Sequence, residues 1–80
     1  MGVVNIRRSR IDITLDILSI AANGAKKTEI VYGANLNSNI TNKYLDMLKQ
    51  KDLIKQQDNI FMTTDKGRYY QEIARGLELK

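Results

Sequence analysis

The sequence predicts a mainly α-helical domain that carries one β-hairpin, on three observations. Apolar residues recur at helical spacing in four separate stretches of the 80-residue chain. Between residues 53 and 63 the period shortens to that of a strand, and at Thr64 it returns to that of a helix. Turn-forming residues, among them Gly24, Gly33 and the pair Asp58-Asn59, stand where one stretch gives way to the next.

The first helix is expected over 9–22, in SRIDITLDILSIAANG. Ser9 is the N-cap and Asp12 occupies the capping-box position, where Glu or Gln is more usual. Ile11, Leu15, Leu18 and Ala22 form one stripe, which Ile13, Ile17 and Ile20 widen, so the helix is expected to be buried on more than one side. Gly24 stands where a left-handed residue closes a helix. The second helix, over 27–33, starts near Thr28 and ends near Gly33, with Ile30 and Val31 facing the core.

The third helix is expected over 38–51. Ile40, Tyr44, Met47, Leu48 and Lys51 fall on one side, extended by Leu45; Ser38, Asn42, Asp46 and Lys49 lie opposite. In the hairpin, over 53–63, Asp58 and Asn59 both tolerate the positive φ of a tight turn. Strand alternation sends Phe61 and Thr63 one way and Ile60 and Met62 the other. The last helix, over 65–78, has Thr64 as N-cap, Asp65 in its first turn and a narrow apolar seam of Tyr70, Ile73 and Leu77. That seam has two readings, internal core or pairing with a second copy of the chain. The four tyrosines are expected in core or interface.

Composition removes several function classes. No cysteine or histidine is present, so the usual zinc sites and the Ser-His and Cys-His nucleophile pairs cannot be built from this chain. The carboxylates are scattered and no phosphate loop is visible, so no enzyme, cofactor or small-molecule ligand is expected. No apolar run approaches the roughly 18 residues that cross a bilayer, and residues 1–10 lack the pattern of a secretory signal. A cytoplasmic, nucleoid-associated protein is the expectation. Net charge is +4, and residues 1–10 carry Arg7, Arg8 and Arg10 without an acid.

Three helices with a short turn between the second and third, followed by a hairpin and a helix, describe a winged helix-turn-helix. The residues also carry a resemblance. YLDMLKQKDLI, a short polar hairpin and TTDKG resemble the small archaeal winged helix-turn-helix DNA-binding proteins, of transcriptional-regulator or chromatin-associated type. Their wing is framed by L-x-x-K-G-L-I and L-T-x-K-G, and RRSRIDITLDILSIAANGAKKTEIVYGANLN looks like their first two helices. The resemblance covers about residues 7–72. Three departures stand out. Asp52 replaces the glycine before the wing, Thr63 replaces a leucine, and only about two heptads remain of the long C-terminal helix of the chromatin-associated members, with Gly76 interrupting them.

Placed on this fold, the four asparagines between residues 35 and 42 span the turn and the start of the recognition helix. Asn35 and Asn37 have a local alternative as turn and cap residues. Asn39 and Asn42 lie beyond the cap and off the apolar face, where an Asn amide can pair adenine N6 and N7. The candidate contacts to double-stranded DNA are Ser38, Asn39, Asn42, Lys43 and Asn37 at the groove, with Lys26, Lys27, Lys55, Gln57, Arg7 and Arg8 on the backbone. For each cation an ordinary solvated charge is the alternative. The expected organisation is a basic arm (1–8), a winged helix-turn-helix domain (9–64) and a C-terminal dimerisation helix (65–80) using Tyr70, Ile73 and Leu77. The expected function is sequence-specific DNA binding by a homodimeric transcriptional regulator; an architectural chromatin protein and a protein-interaction module are the alternatives.

Overall fold

A computed structural model describes residues 9–78, with side-chain positions through residue 76; Arg7, Arg8 and the side chain of Leu77 lie outside the described residues. The elements run α1 (Arg10–Ile20), β1 (Ala25–Lys26), α2 (Lys27–Gly33), α3 (Ser38–Gln50), β2 (Ile54–Gln57), β3 (Ile60–Thr63) and α4 (Asp65–Glu78). This is the winged helix arrangement the element order predicts, with one addition. β1 pairs antiparallel with β3, so the expected hairpin is a three-stranded sheet of order β1-β3-β2. A two-residue strand is too short to show a period, and Ala25-Lys26 carries no β-favourable side chain to betray it.

The helix ends explain why the chain breaks where it does. Ser9 Oγ accepts the Asp12 N–H and an Asp12 carboxylate oxygen accepts the Ser9 N–H, both at 3.1 Å, so aspartate closes the box despite its shorter reach. α2 begins at Lys27, and its N-cap is Lys26, two residues before Thr28; the Glu29 carboxylate accepts the Lys26 N–H at 2.8 Å. α2 and α3 end alike. Asn35 (φ 56°) and Asp52 (φ 62°) are left-handed, and the amides that follow reach back across the last turn, Leu36 to the Val31 carbonyl and Leu53 to the Leu48 carbonyl, each at 2.9 Å. Asp52 therefore fills the glycine position as a left-handed residue.

At the wing turn only Asp58 takes a positive φ (57°), so Asn59 does not share the conformation the sequence suggested for both. The base of the wing is tied by Thr64. Its hydroxyl donates to the Asp52 carbonyl at 2.7 Å and accepts the Gly67 N–H at 3.0 Å, while its amide donates to the Leu53 carbonyl at 3.1 Å. Thr64 thus caps α4 and fixes where α4 leaves the sheet.

The core joins Ile17 and Leu18 of α1, Ile30 of α2, Leu45 and Leu48 of α3, and Leu53, Ile54 and Phe61 around the wing. Phe61 and Thr63 point inward and Ile60 and Met62 are only half-buried, as strand alternation requires. Two sequence expectations are corrected. The buried side of α3 is centred on Thr41, Leu45 and Leu48, leaving Ile40 40% exposed, because α2 and β2 meet the helix about one residue off the most apolar arc. Ile11 is exposed at the open end of α1. Of the four tyrosines, Tyr44 and Tyr70 pack against the core, and Tyr32 and Tyr69 are exposed in the single chain.

α4 turns a small and polar face to the rest of the molecule. Gly67, Gln71 and Ala74 are buried, and Gln71 Nε2 and Arg75 Nη2 both donate to the Ser19 hydroxyl, at 3.1 and 3.0 Å. Of the apolar seam, Tyr70 is half-buried against the core, whereas Ile73 is 48% exposed. Ile73 is not internal core.

Candidate nucleic-acid interface

The turn between α2 and α3 presents the face of α3 that carries the polar residues. Asn37 is the N-cap: its Oδ1 accepts the Ile40 N–H at 2.8 Å, so its side chain serves the helix start. Ser38, Asn39, Asn42, Lys43 and Asp46 follow on the exposed side. Four of these five side chains are short, which lets the helix axis approach a surface closely; apart from the Asn37 cap bond, the first turn also leaves backbone N–H groups pointing outward.

Two hydrogen bonds between elements set the flank of this face. Lys27 Nζ donates to Asn42 Oδ1 at 3.0 Å, joining the start of α2 to the middle of α3. Lys49 Nζ donates to Gln56 Oε1 at 2.8 Å, joining the end of α3 to the wing, and Gln56 Nε2 in turn donates to the Asp58 carbonyl at 2.8 Å. Between them lies a groove of about 460 Å³ whose rim carries Lys26, Lys27, Asn42, Asp46, Lys49 and Gln56, over a floor of Leu45 and Phe61. Three lysines against one aspartate make the groove net positive.

The structure sorts the sequence candidates. Lys26, Lys27 and Asn42 come together on this groove. Lys43 lies on the other flank of α3, beside Arg10, Tyr44 and Met47. Lys55 and Gln57 sit on the outer face of the wing with Ile60 and Met62, because β2 pairs Lys55 with Met62 and Gln57 with Ile60. The wing residue that faces α3 is Gln56, opposite Phe61. Lys49 is absent from the sequence-derived set, and Gln56 stood in the sequence only as one polar wing residue beside Lys55, Gln57 and Asn59, with nothing to set it apart from them. The same alternation that turned Phe61 inward would have found Gln56, once the register of the hairpin was known.

Among the described residues no group of His, Cys, Asp or Glu is arranged to hold a metal ion, and no helix is long and apolar enough to cross a membrane. Residues 7–79 match a family model described as winged helix-turn-helix. The chain belongs to the winged helix-turn-helix family. Its winged helix-turn-helix is similar to the crystal structure of Sso10a-2, a DNA-binding protein from Sulfolobus solfataricus. The two share 28% identity with a TM-score of 0.77, over 90% of this chain and 81% of that one. Two uncharacterized proteins of Methanocaldococcus jannaschii are also similar. MJ0287 is 35% identical over 63 residues and MJ0290 is 33% identical over 64, which is 78% and 79% of this chain. The chain spans 65% and 30% of the lengths of these two relatives. The archaeal winged helix resemblance carried by YLDMLKQKDLI and TTDKG is thereby established.

Proposed function

We propose that this chain binds double-stranded DNA in a sequence-specific way through α3, as a homodimeric transcriptional regulator. The observation that carries the reading is the exposed face of α3. Ser38, Asn39 and Asn42 offer short hydrogen-bonding groups, flanked by cations from α2 and by a wing that Lys49 and Gln56 fix against the helix. Short polar side chains on a helix are suited to base edges, whereas flanking lysines supply the sequence-independent attraction to phosphate. The DNA-binding relative of the same fold supports the same reading. Arg7 and Arg8, outside the described residues, are proposed as further cations for the DNA backbone. Lys55 and Gln57 would meet the backbone only if the outer face of the wing turns toward it.

Homodimerisation through α4 is supported by the exposure of Ile73, an apolar residue that the rest of the domain leaves half uncovered. One observation favours a different class. The outer wing face pairs half-buried Ile60 and Met62 with polar Lys55 and Gln57, a surface that suits a protein partner. Selection of binding sites from random duplex DNA with the purified protein tests the two against each other. A recovered consensus supports the regulator, recovery without a consensus supports an architectural role, and no recovery at low salt supports the interaction module.

A further inference from the structure

We propose that Lys27 and Asn42 form one reading unit that selects guanine; the inference rests on the DNA-binding reading above and names the base it would choose. The unit is defined by the 3.0 Å hydrogen bond from Lys27 Nζ to Asn42 Oδ1. An ammonium has three donors and no acceptor, so the amide atom that faces it must be the oxygen. The orientation of the Asn42 amide is therefore fixed by chemistry: Oδ1 is turned to Lys27 and Nδ2 is presented outward as a donor.

That orientation changes what Asn42 can read. A free asparagine pairs adenine by donating to N7 and accepting from N6. Here the accepting atom is already engaged by a cation, and the same positive charge repels the N6 amino group that would approach it. What remains is a pair of donors, Asn42 Nδ2 and the unused hydrogens of the Lys27 ammonium. Guanine is the base whose major-groove edge offers two adjacent acceptors, N7 and O6.

The surroundings keep the pair in place. Lys27 is the first residue of α2, whose start is held by β1 on one side, where Lys26 pairs with Ile60, and by the Glu29 cap bond on the other. Its stem is half-buried, so much of the side chain's freedom is already spent before any ligand arrives. Asp46, one turn beyond Asn42 on the same groove, repels a phosphate that would otherwise compete for the ammonium. Lys26 and Lys49, on the rim to either side, remain for the backbone.

The test uses site selection with the full chain and three variants, Asn42→Ala, Lys27→Met and the double variant, with circular dichroism confirming that each folds. The base position whose preference disappears in Asn42→Ala is the position the unit touches. Wild type is expected to select guanine there, and replacing that base by 7-deazaguanine, which lacks the N7 acceptor, should weaken wild-type binding about 5- to 100-fold. Lys27→Met keeps the stem and removes the donor, so the preference at that position should move to adenine, and 7-deazaadenine placed there should now weaken binding. Wild-type preference for adenine, thymine or cytosine overturns the inference, as does a Lys27→Met loss of equal size on all four bases with wild-type guanine preference retained. Absence of binding by every protein to every duplex at low salt instead overturns the DNA-binding reading itself, so the two failures are told apart.

Discussion

The Thr63 hydroxyl, buried at the end of β3, donates to the Leu18 carbonyl of α1 at 2.7 Å. The Thr63 amide donates to the Ala21 carbonyl at 3.0 Å. One residue, 45 positions beyond Leu18, thus donates to two carbonyls at the C-terminal end of α1. Thr63 is not a shortened leucine. Thr63→Val keeps the shape and leaves the Leu18 carbonyl unsatisfied, so chemical denaturation should report a loss of about 1–3 kcal/mol.

Thr41 makes the opposite case. Its hydroxyl is fully buried in α3 and has no hydrogen-bond partner. Thr41→Val removes an unsatisfied polar atom at nearly constant volume, so it is expected to stabilise the fold by up to about 1 kcal/mol. A urea titration of the two valine variants side by side should move the midpoints in opposite directions.

Gly67 sits where α4 crosses the base of the wing, and a Cβ there would run into the Leu53 carbonyl oxygen and lie 2.7 Å from Thr63 Cγ2. Alanine in an exposed helix would gain about 1 kcal/mol over glycine. At this position overpacking against backbone should outweigh that gain, and Gly67→Ala should lower the melting temperature with a net cost of about 1–3 kcal/mol. A rise in melting temperature would mean that α4 can lift off the wing without loss.

Ile73→Asp separates folding from association. Because Ile73 is 48% exposed in the single chain, a charge there should leave the fold standing. In a dimer that buries the seam the same charge would have no partner, so sedimentation should show wild type as a dimer and the variant as a folded monomer. Wild type sedimenting as a monomer at tens of micromolar, about the range in which weak dimers assemble, would remove the homodimer from the proposal.

What the sequence made legible were the features it encodes locally. The four helices, the hairpin and the Ser9 and Thr64 caps all follow from residue type and period over a few positions, while Asp52 stood out only through the resemblance, as the residue in a glycine position. What it hid depends on contacts between distant segments. β1 exists because β3 lies beside it, and the exposed Ile40 reflects the angle at which α3 meets the core rather than its own pattern. The asparagine cluster divides on the same line. Asn35 and Asn37 are spent on the turn and the cap, as local rules allow, whereas the bond between Asn42 and Lys27 spans 15 residues and had no signal along the chain.

That bond also alters how the site should respond to mutation. From sequence, Asn42 and Lys27 read as independent contacts, one to a base and one to phosphate. Joined at 3.0 Å, they should behave as a coupled pair. A double-mutant cycle on the preferred duplex with Asn42→Ala and Lys27→Met should give an interaction energy of about 0.5–3 kcal/mol, where independent contacts would add.

The most direct measurement is a binding titration of wild-type and Asn42→Ala protein on a selected and a scrambled duplex at two salt concentrations. Wild type should bind both duplexes more weakly as salt rises, with a clear preference for the selected one. Asn42→Ala should lose about 1–3 kcal/mol on the selected duplex and almost nothing on the scrambled one. Equal indifference of both proteins to duplex DNA at low salt would contradict DNA recognition by α3 and turn attention to Ile60 and Met62 on the outer wing.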